Sequence, residues 1–236
     1  MRLSFLLLLF SLPLFISAQT TKTQSSGWGV ELYPHLSNNR LIAGGNIGFR
    51  EARRRDSLEV ADFGYAAGVF YALRGEKIGY HFGLRYLVTG YETLRGPLDD
   101  DPFLPASIDY SEKFRAQYLE LPFYVNFYQN ISDKTSFFFT LGAAANIHLN
   151  STIERTLYEA DGPVTGDFEP EGTVYRAVNF AMLSAIGIET TFNDKVTIGF
   201  QPNFEYWLGG NVVESSDFIT RNFYNIGVRV YCVLKR

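Results

Sequence analysis

A chain of 236 residues is long enough for one β-barrel or for two small domains. Its hydrophobic content of 46% and mean hydropathy of -0.05 are too low for a bundle of membrane helices and suit a barrel with one polar and one apolar face. A formal net charge of -4 argues against nucleic acid as a partner, because phosphate binding needs a basic surface, and one cysteine, Cys232, excludes an intramolecular disulfide or a Cys-rich metal cluster.

Met1-Arg2 is followed by an apolar run over 3–16 and by Ser17-Ala18-Gln19-Thr20, the charged start, apolar centre and small-residue end of a secretory signal peptide, 1–18. The run is short and broken by Pro13, so it is not read as a membrane span. Arg2 is the leader's sole charge, so its removal takes the net charge from -4 to -5. Residues 19–26 are polar and are expected to be flexible, and the barrel domain is expected over 27–236.

From Gly27 onward, apolar residues recur at every second position in eight stretches: 28–36, 63–73, 78–90, 117–128, 135–149, 178–190, 196–208 and 223–234. That is the period of a strand whose two faces meet different surroundings. The fourth and fifth show it most fully. Leu119, Leu121, Phe123, Val125 and Phe127, then Phe137, Phe139, Leu141, Ala143, Ala145, Ile147 and Leu149 hold one face, and a polar turn through Asn130 and Asp133 joins the two halves. Each half can cross a hydrocarbon layer as a tilted strand of about 9 to 11 residues. Asp, Glu, Lys and Arg are missing from the apolar face of all eight stretches. An arginine there would cost about 2 to 4 kcal/mol at mid-bilayer.

Short turns near 75, 131 and 193 alternate with long connections over 43–61, 93–114, 151–175 and 211–220, the pattern of periplasmic turns and outer loops. With both ends on the short-turn side the strand number is even. The expected fold is therefore all-β, a closed eight-stranded antiparallel up-and-down transmembrane barrel, because lipid tolerates no open sheet edge. A soluble sandwich or lipocalin-like barrel would carry many Lys, Glu, Thr and Ser on its second face. Here that face holds Gly29, Gly64, Gly68, Gly79, Gly83, Gly142, Gly187, Gly199 and Gly227, small residues suited to a crowded lumen. Trp28, Tyr71, Tyr80, Tyr86, Tyr206 and Tyr224 would supply the interfacial girdles.

Tyr118-Leu-Glu-Leu-Pro122, followed by alternating apolar residues and a turn into a Phe-rich, Gly-Ala strand, resembles the PorT-like outer-membrane β-barrel family. The motif residues are Tyr118, Glu120, Leu121 and Pro122. The resemblance implies an outer-membrane barrel of the Gram-negative type, with some members linked to assembly of a protein-secretion and gliding apparatus.

Alternation places Glu31, His81, Arg85, Glu120, Glu189, Glu205 and Arg229 in the lumen, where carboxylates, arginines and a histidine can satisfy one another as a buried ionic network. Eight strands leave little open bore, so a narrow solute pore is the weaker reading. His148 lies near Asn150 and Ser151 at the outer end of the fifth strand, where a nucleophile and a base could act on lipid acyl chains. His35 and His81 lie on different strands without metal-ligand spacing, and no cofactor or metal is expected. Among the outer loops, Arg53-Arg-Arg55 could contact anionic headgroups. Asp99-Asp-Asp101, followed by Pro102 and Pro105, lacks the spacing of a Ca2+ loop. The loop with Asp161-Gly-Pro163, Asp167 and Glu169-Pro-Glu171 could meet a partner protein. The expected partners are outer-membrane lipid and envelope proteins reached through the outer loops. The expected role is structural or assembly-related and non-enzymatic.

Overall fold

Each stretch of alternating residues forms a strand, and most of these strands run past the alternation that announces them. The eight are Ser25–Ala43, Glu59–Arg74, Ile78–Thr93, Asp109–Asn130, Thr135–Glu159, Val178–Phe192, Val196–Trp207 and Ile219–Lys235, taken below as the first to the eighth. The structure is a computed structural model and describes residues 25–43, 49–97, 109–168, 173–193, 195–214 and 219–236. The expected leader, the acidic tip at 99–101 and the Glu169-Pro-Glu171 stretch lie outside the described residues. Ser25 and Ser26, placed at the sequence level in a flexible segment, belong to the first strand and pair with Arg74 and Leu73.

Every strand is antiparallel to its neighbours in the chain, and the eighth returns to the first through fifteen paired positions from Gly27↔Lys235 to Ala43↔Ile219, so the sheet is a closed ring. Its stagger can be read by stepping across opposed residues. Trp28 faces Tyr71, then come Phe82, Phe123, Ala143, Met182, Tyr206 and Tyr224, and Tyr224 faces Asn38. The circuit thus returns to the first strand ten residues above its start. With a rise of about 3.3 Å per residue and strands about 4.8 Å apart, a stagger of ten across eight strands tilts them by about 40° and sets a backbone radius of about 8 Å. So narrow a bore is filled by side chains.

The outside of the ring is apolar. Trp28, Val30, Leu32, Phe63, Val69, Phe82, Leu121, Leu141, Ile186, Phe200 and Ile226 are all exposed. A water-soluble fold would bury that surface, and a bilayer removes it from water instead. Trp28 packs edge-on against Tyr71 at 5.2 Å on the short-turn side, while Tyr206 and Tyr224 oppose each other towards the loop side.

Some glycines of the inner face, Gly29, Gly187 and Gly199 among them, act as slots for rings from the next strand. A Cβ on Gly199 would lie 2.0 Å from Cζ of Tyr231, and one on Gly187 would lie 2.4 Å from Cζ of Phe138. Only a hydrogen at those positions lets an aromatic ring lie across the neighbouring strand. Prolines leave a different mark. Beside Pro34, Pro122 and Pro202 one ladder skips two residues, from Leu32↔Val230 to His35↔Gly227, from Phe82↔Phe123 to Arg85↔Glu120 and from Phe200↔Ile188 to Asn203↔Ala185. A proline has no N–H to give, so the ladder lapses on that side.

Above the lipid-facing surface the fourth and fifth strands continue as a two-stranded ribbon, with Gly162–Asp167 added as a further strand along the fifth. The sequence reading leaves 93–114 and 151–175 as loops. Beyond the buried Phe114 and Ala116 both faces of the ribbon are partly exposed, so the apolar half of the alternation vanishes there, while cross-strand pairs such as Arg155 with Glu112 at 2.7 Å hold it together. Residues Phe49–Leu58 form a helix, α1, on the loop side of the first strand.

Candidate functional site

The middle of the lumen is built around two arginines. Arg85, opposite Glu120 on the adjoining strand, donates to both of its carboxylate oxygens at 2.5 and 2.7 Å. The same guanidinium donates to Glu205 at 3.1 Å and to the Tyr124 hydroxyl at 2.9 Å. The indole N–H of Trp207 completes the Glu205 carboxylate at 2.8 Å. Arg229 pairs with Glu31 and donates to Gln201 at 2.9 Å. Gln201 passes the chain of hydrogen bonds to Thr140 at 2.9 Å and Thr140 to Asn126 at 2.6 Å. The rings of Phe70, Tyr124 and Tyr231 surround the Arg229 guanidinium at 4.5 to 4.7 Å. Arg85, Glu120, Glu205 and Arg229 are fully buried, so each charge depends on these partners alone for the solvation that water would give.

Glu189 and His81 stand apart from this core. Glu189 accepts from Arg74 at 2.9 Å and from the Tyr231 hydroxyl at 2.9 Å near the short turns, and Arg74 lies 3.1 Å above the Tyr128 ring. His81 is buried against the rings of Phe70 and Tyr231, at 4.9 and 5.6 Å, with no ion pair among the described residues. A cavity of about 20 Å³, room for about one water, lies beside His81, Tyr128 and Glu189. A basin of about 760 Å³ at the short-turn mouth shares Arg74 and Glu189 with it.

Towards the loops the lumen closes in aromatic rings. Trp207 packs edge-on against Tyr118 at 4.7 Å and Phe223 at 5.4 Å, and Phe114 stacks between Phe223 at 5.9 Å and Tyr91 at 5.3 Å. Arg221 lies over Tyr91 and holds both oxygens of Glu59 at 2.6 and 3.1 Å. Farther out, Lys113 pairs with Glu92 and, at 2.9 Å, with Asp62. Burial works against the Lys113 charge, but the hydrogen bonds to Glu92 and Asp62 outweigh it and raise its pKa above the usual lysine value.

At the rim, His148 Nε2 lies 2.8 Å from Ser151 Oγ. Residues three apart on a regular strand face opposite ways. Here the ladder passes from Tyr118↔His148 to Gln117↔Asn150, leaving Leu149 as an extra, bulged residue that turns both side chains to the same side. The His148 ring stacks on Tyr175 at 5.2 Å and meets the edge of Tyr118 at 5.4 Å. Ser151, Asp167, Phe168 and Tyr175 line an adjacent cavity of about 260 Å³.

Of the motif residues, Tyr118, Glu120 and Pro122 face inward and Leu121 faces outward. Arg74, Tyr124, Thr140, Gln201 and Trp207 join the interior without having been singled out from the sequence. Tyr124, Thr140 and Gln201 were legible as inward positions by alternation, whereas Arg74 reads as part of a turn.

Residues 17–209 match the family described as outer membrane protein beta-barrel domain. Among solved structures the chain is similar to Neisserial surface protein A, at 10% identity over 88% of this chain and 97% of that one, with a TM-score of 0.39. It is also similar to the outer membrane protease OmpT from Escherichia coli, at 8% identity over 92% and 98%, TM-score 0.42. Ail, the attachment invasion locus protein of Yersinia pestis, shows 11% identity over 87% and 98%, TM-score 0.28. No curated protein matches the chain.

Proposed function

The chain belongs to the outer membrane protein beta-barrel domain family, and we propose that it serves as a non-enzymatic, structural or assembly-related component of the outer membrane that meets partner proteins above the bilayer. The observation that carries this reading is the ribbon. The fourth and fifth strands extend to Asp109 and Glu159, well past the lipid-facing Leu119 and Leu149, and Gly162–Asp167 widens them. A paired sheet standing off the membrane gives a rigid contact surface, while the salt-bridged lumen below it favours no passage of solute. The Tyr118-Leu-Glu-Leu-Pro122 stretch supports placing the chain among PorT-like barrels, and with them a link to a protein-secretion and gliding apparatus. The charged start, the apolar run over 3–16 and the small-residue end support export by a signal peptide.

The test is a photo-crosslinking residue at exposed Val164, with one at lipid-facing Leu141 as comparison, in the full chain in cells. Protein adducts at Val164 and none at Leu141 support the reading. Absence of protein adducts at Val164 in a correctly inserted barrel overturns it.

The Ser151 and His148 pair favours a second reading, a barrel enzyme acting on lipid acyl chains. Ser151 Oγ would attack an ester carbonyl as His148 Nε2 takes its proton. Under this reading His148→Ala and Ser151→Ala each abolish a change in the acyl composition of membrane lipid while leaving the barrel folded. Identical lipid profiles in wild type and both variants remove it.

A further inference from the structure

The sign of the charge along α1 runs against that of the whole chain. The helix reads FREARRRDSL, with four arginines in ten residues of a protein whose net charge is -4. Arg50, Arg53, Arg54 and Ser57 follow the spacing of a single helical face. They line an open depression of about 540 Å³, and Arg50 and Arg53 are exposed. The helix is fixed to the rim rather than free. The Leu41 N–H donates to Asp56 Oδ1 at 3.0 Å, and the Leu94 N–H donates to the Leu58 carbonyl at 2.8 Å. Asp56 is thereby engaged by backbone.

A second observation fixes the depth. On the first strand the lipid-facing row runs through Trp28, Val30, Leu32 and Leu36, and Asn38 stands opposite Tyr224 at the loop-side aromatic level. Arg40 is the next residue of that same outward row and is exposed. A side chain two residues beyond the level of an interfacial tyrosine on a lipid-facing row lies at headgroup depth. Arg40, Arg50 and Arg53 form no ion pair among the described residues.

We infer that Arg40 and the Arg50, Arg53 face of α1 form a binding site for phosphorylated lipid headgroups of the outer leaflet. A guanidinium fork matches a phosphate in two parallel hydrogen bonds, and Arg50 and Arg53 on one depression, with Arg40 on the strand that α1 packs against, suit a headgroup with more than one phosphate. The site would seat the barrel against its own lipid on the side of strands one to three, leaving the ribbon clear.

The full chain in neutral detergent micelles is titrated with diphosphorylated lipid A, with the same lipid stripped of its phosphates and with inorganic pyrophosphate. Wild type binds the phosphorylated lipid best. The triple variant Arg40→Gln, Arg50→Gln, Arg53→Gln weakens that binding by about five-fold per arginine, on the order of 100-fold together. Lys134→Gln, at the opposite mouth, binds as wild type does. Equal binding of the two lipids by wild type, or unchanged affinity in the triple variant, overturns the proposal. Pyrophosphate binding as tightly as the phosphorylated lipid also overturns it, because the site would then be one for free phosphate. Retention of the heat-dependent gel shift shows that the triple variant is folded.

Discussion

Arg85 ties the interior together, because three groups from two other strands depend on its guanidinium: Glu120 and Tyr124 of the fourth and Glu205 of the seventh. Arg85→Leu strands two fully buried carboxylates, and its expected cost is about 3 to 5 kcal/mol in denaturant titrations of the micelle-bound barrel. Adding Glu120→Gln and Glu205→Gln to Arg85→Leu removes the orphaned charges and should recover most of that loss. A triple variant as unstable as the single one would show that packing, not charge, dominates at Arg85. Gly199 makes a parallel case for shape. Gly199→Val drives a side chain into the Tyr231 ring and should prevent the heat-resistant folded band from forming, whereas Gly166→Val, with open space around it, should leave that band intact.

Strands are sensitive to the phase of their side chains, and the fifth offers a direct contrast. Deleting Ala143 from its middle shifts one half by one residue and turns lipid-facing residues such as Leu141 inward. Leu149 is already the unpaired residue of a bulge, so its deletion only regularises the ladder between Tyr118↔His148 and Gln117↔Asn150. The Ala143 deletion should abolish the heat-dependent mobility shift and the Leu149 deletion should preserve it. On the lipid face, Leu141→Arg should cost about 2 to 4 kcal/mol in folding into vesicles, since that strand has no other contact for the charge than hydrocarbon. Alternation made these strands legible in the sequence over their membrane-crossing parts. It did not reach the ribbon at 109–113 and 154–159, beyond the buried Phe114 and Ala116, where both faces are partly exposed.

A ring of eight strands with a stagger of ten has a bore that its own side chains fill, and this governs what the molecule can conduct. The Arg85 and Arg229 clusters, with the Trp207, Phe114 and Phe223 rings above them, stand across the axis. In planar bilayers the purified barrel should show no steady conductance, and steps of defined size in the wild type would mean that this plug moves. Boiling should change the gel mobility of the outer-membrane band, as unfolding of a closed barrel does.

The class of fold and the orientation of its faces were legible in the residues alone. Both follow from a period of two and from the length of the connections, which are local properties that a hydrocarbon solvent enforces strand by strand. The residues also determined which side chains would compete for the lumen. Which of them meet was decided by the tertiary structure, because that depends on the stagger accumulated around the whole ring. Alternation alone treats Glu31, Glu120, Glu189 and Glu205 alike, yet closure gives Glu120 and Glu205 to Arg85, Glu31 to Arg229 and Glu189 to Arg74. The contact between His148 and Ser151 has the same origin, a single bulged residue that no period in the sequence reveals.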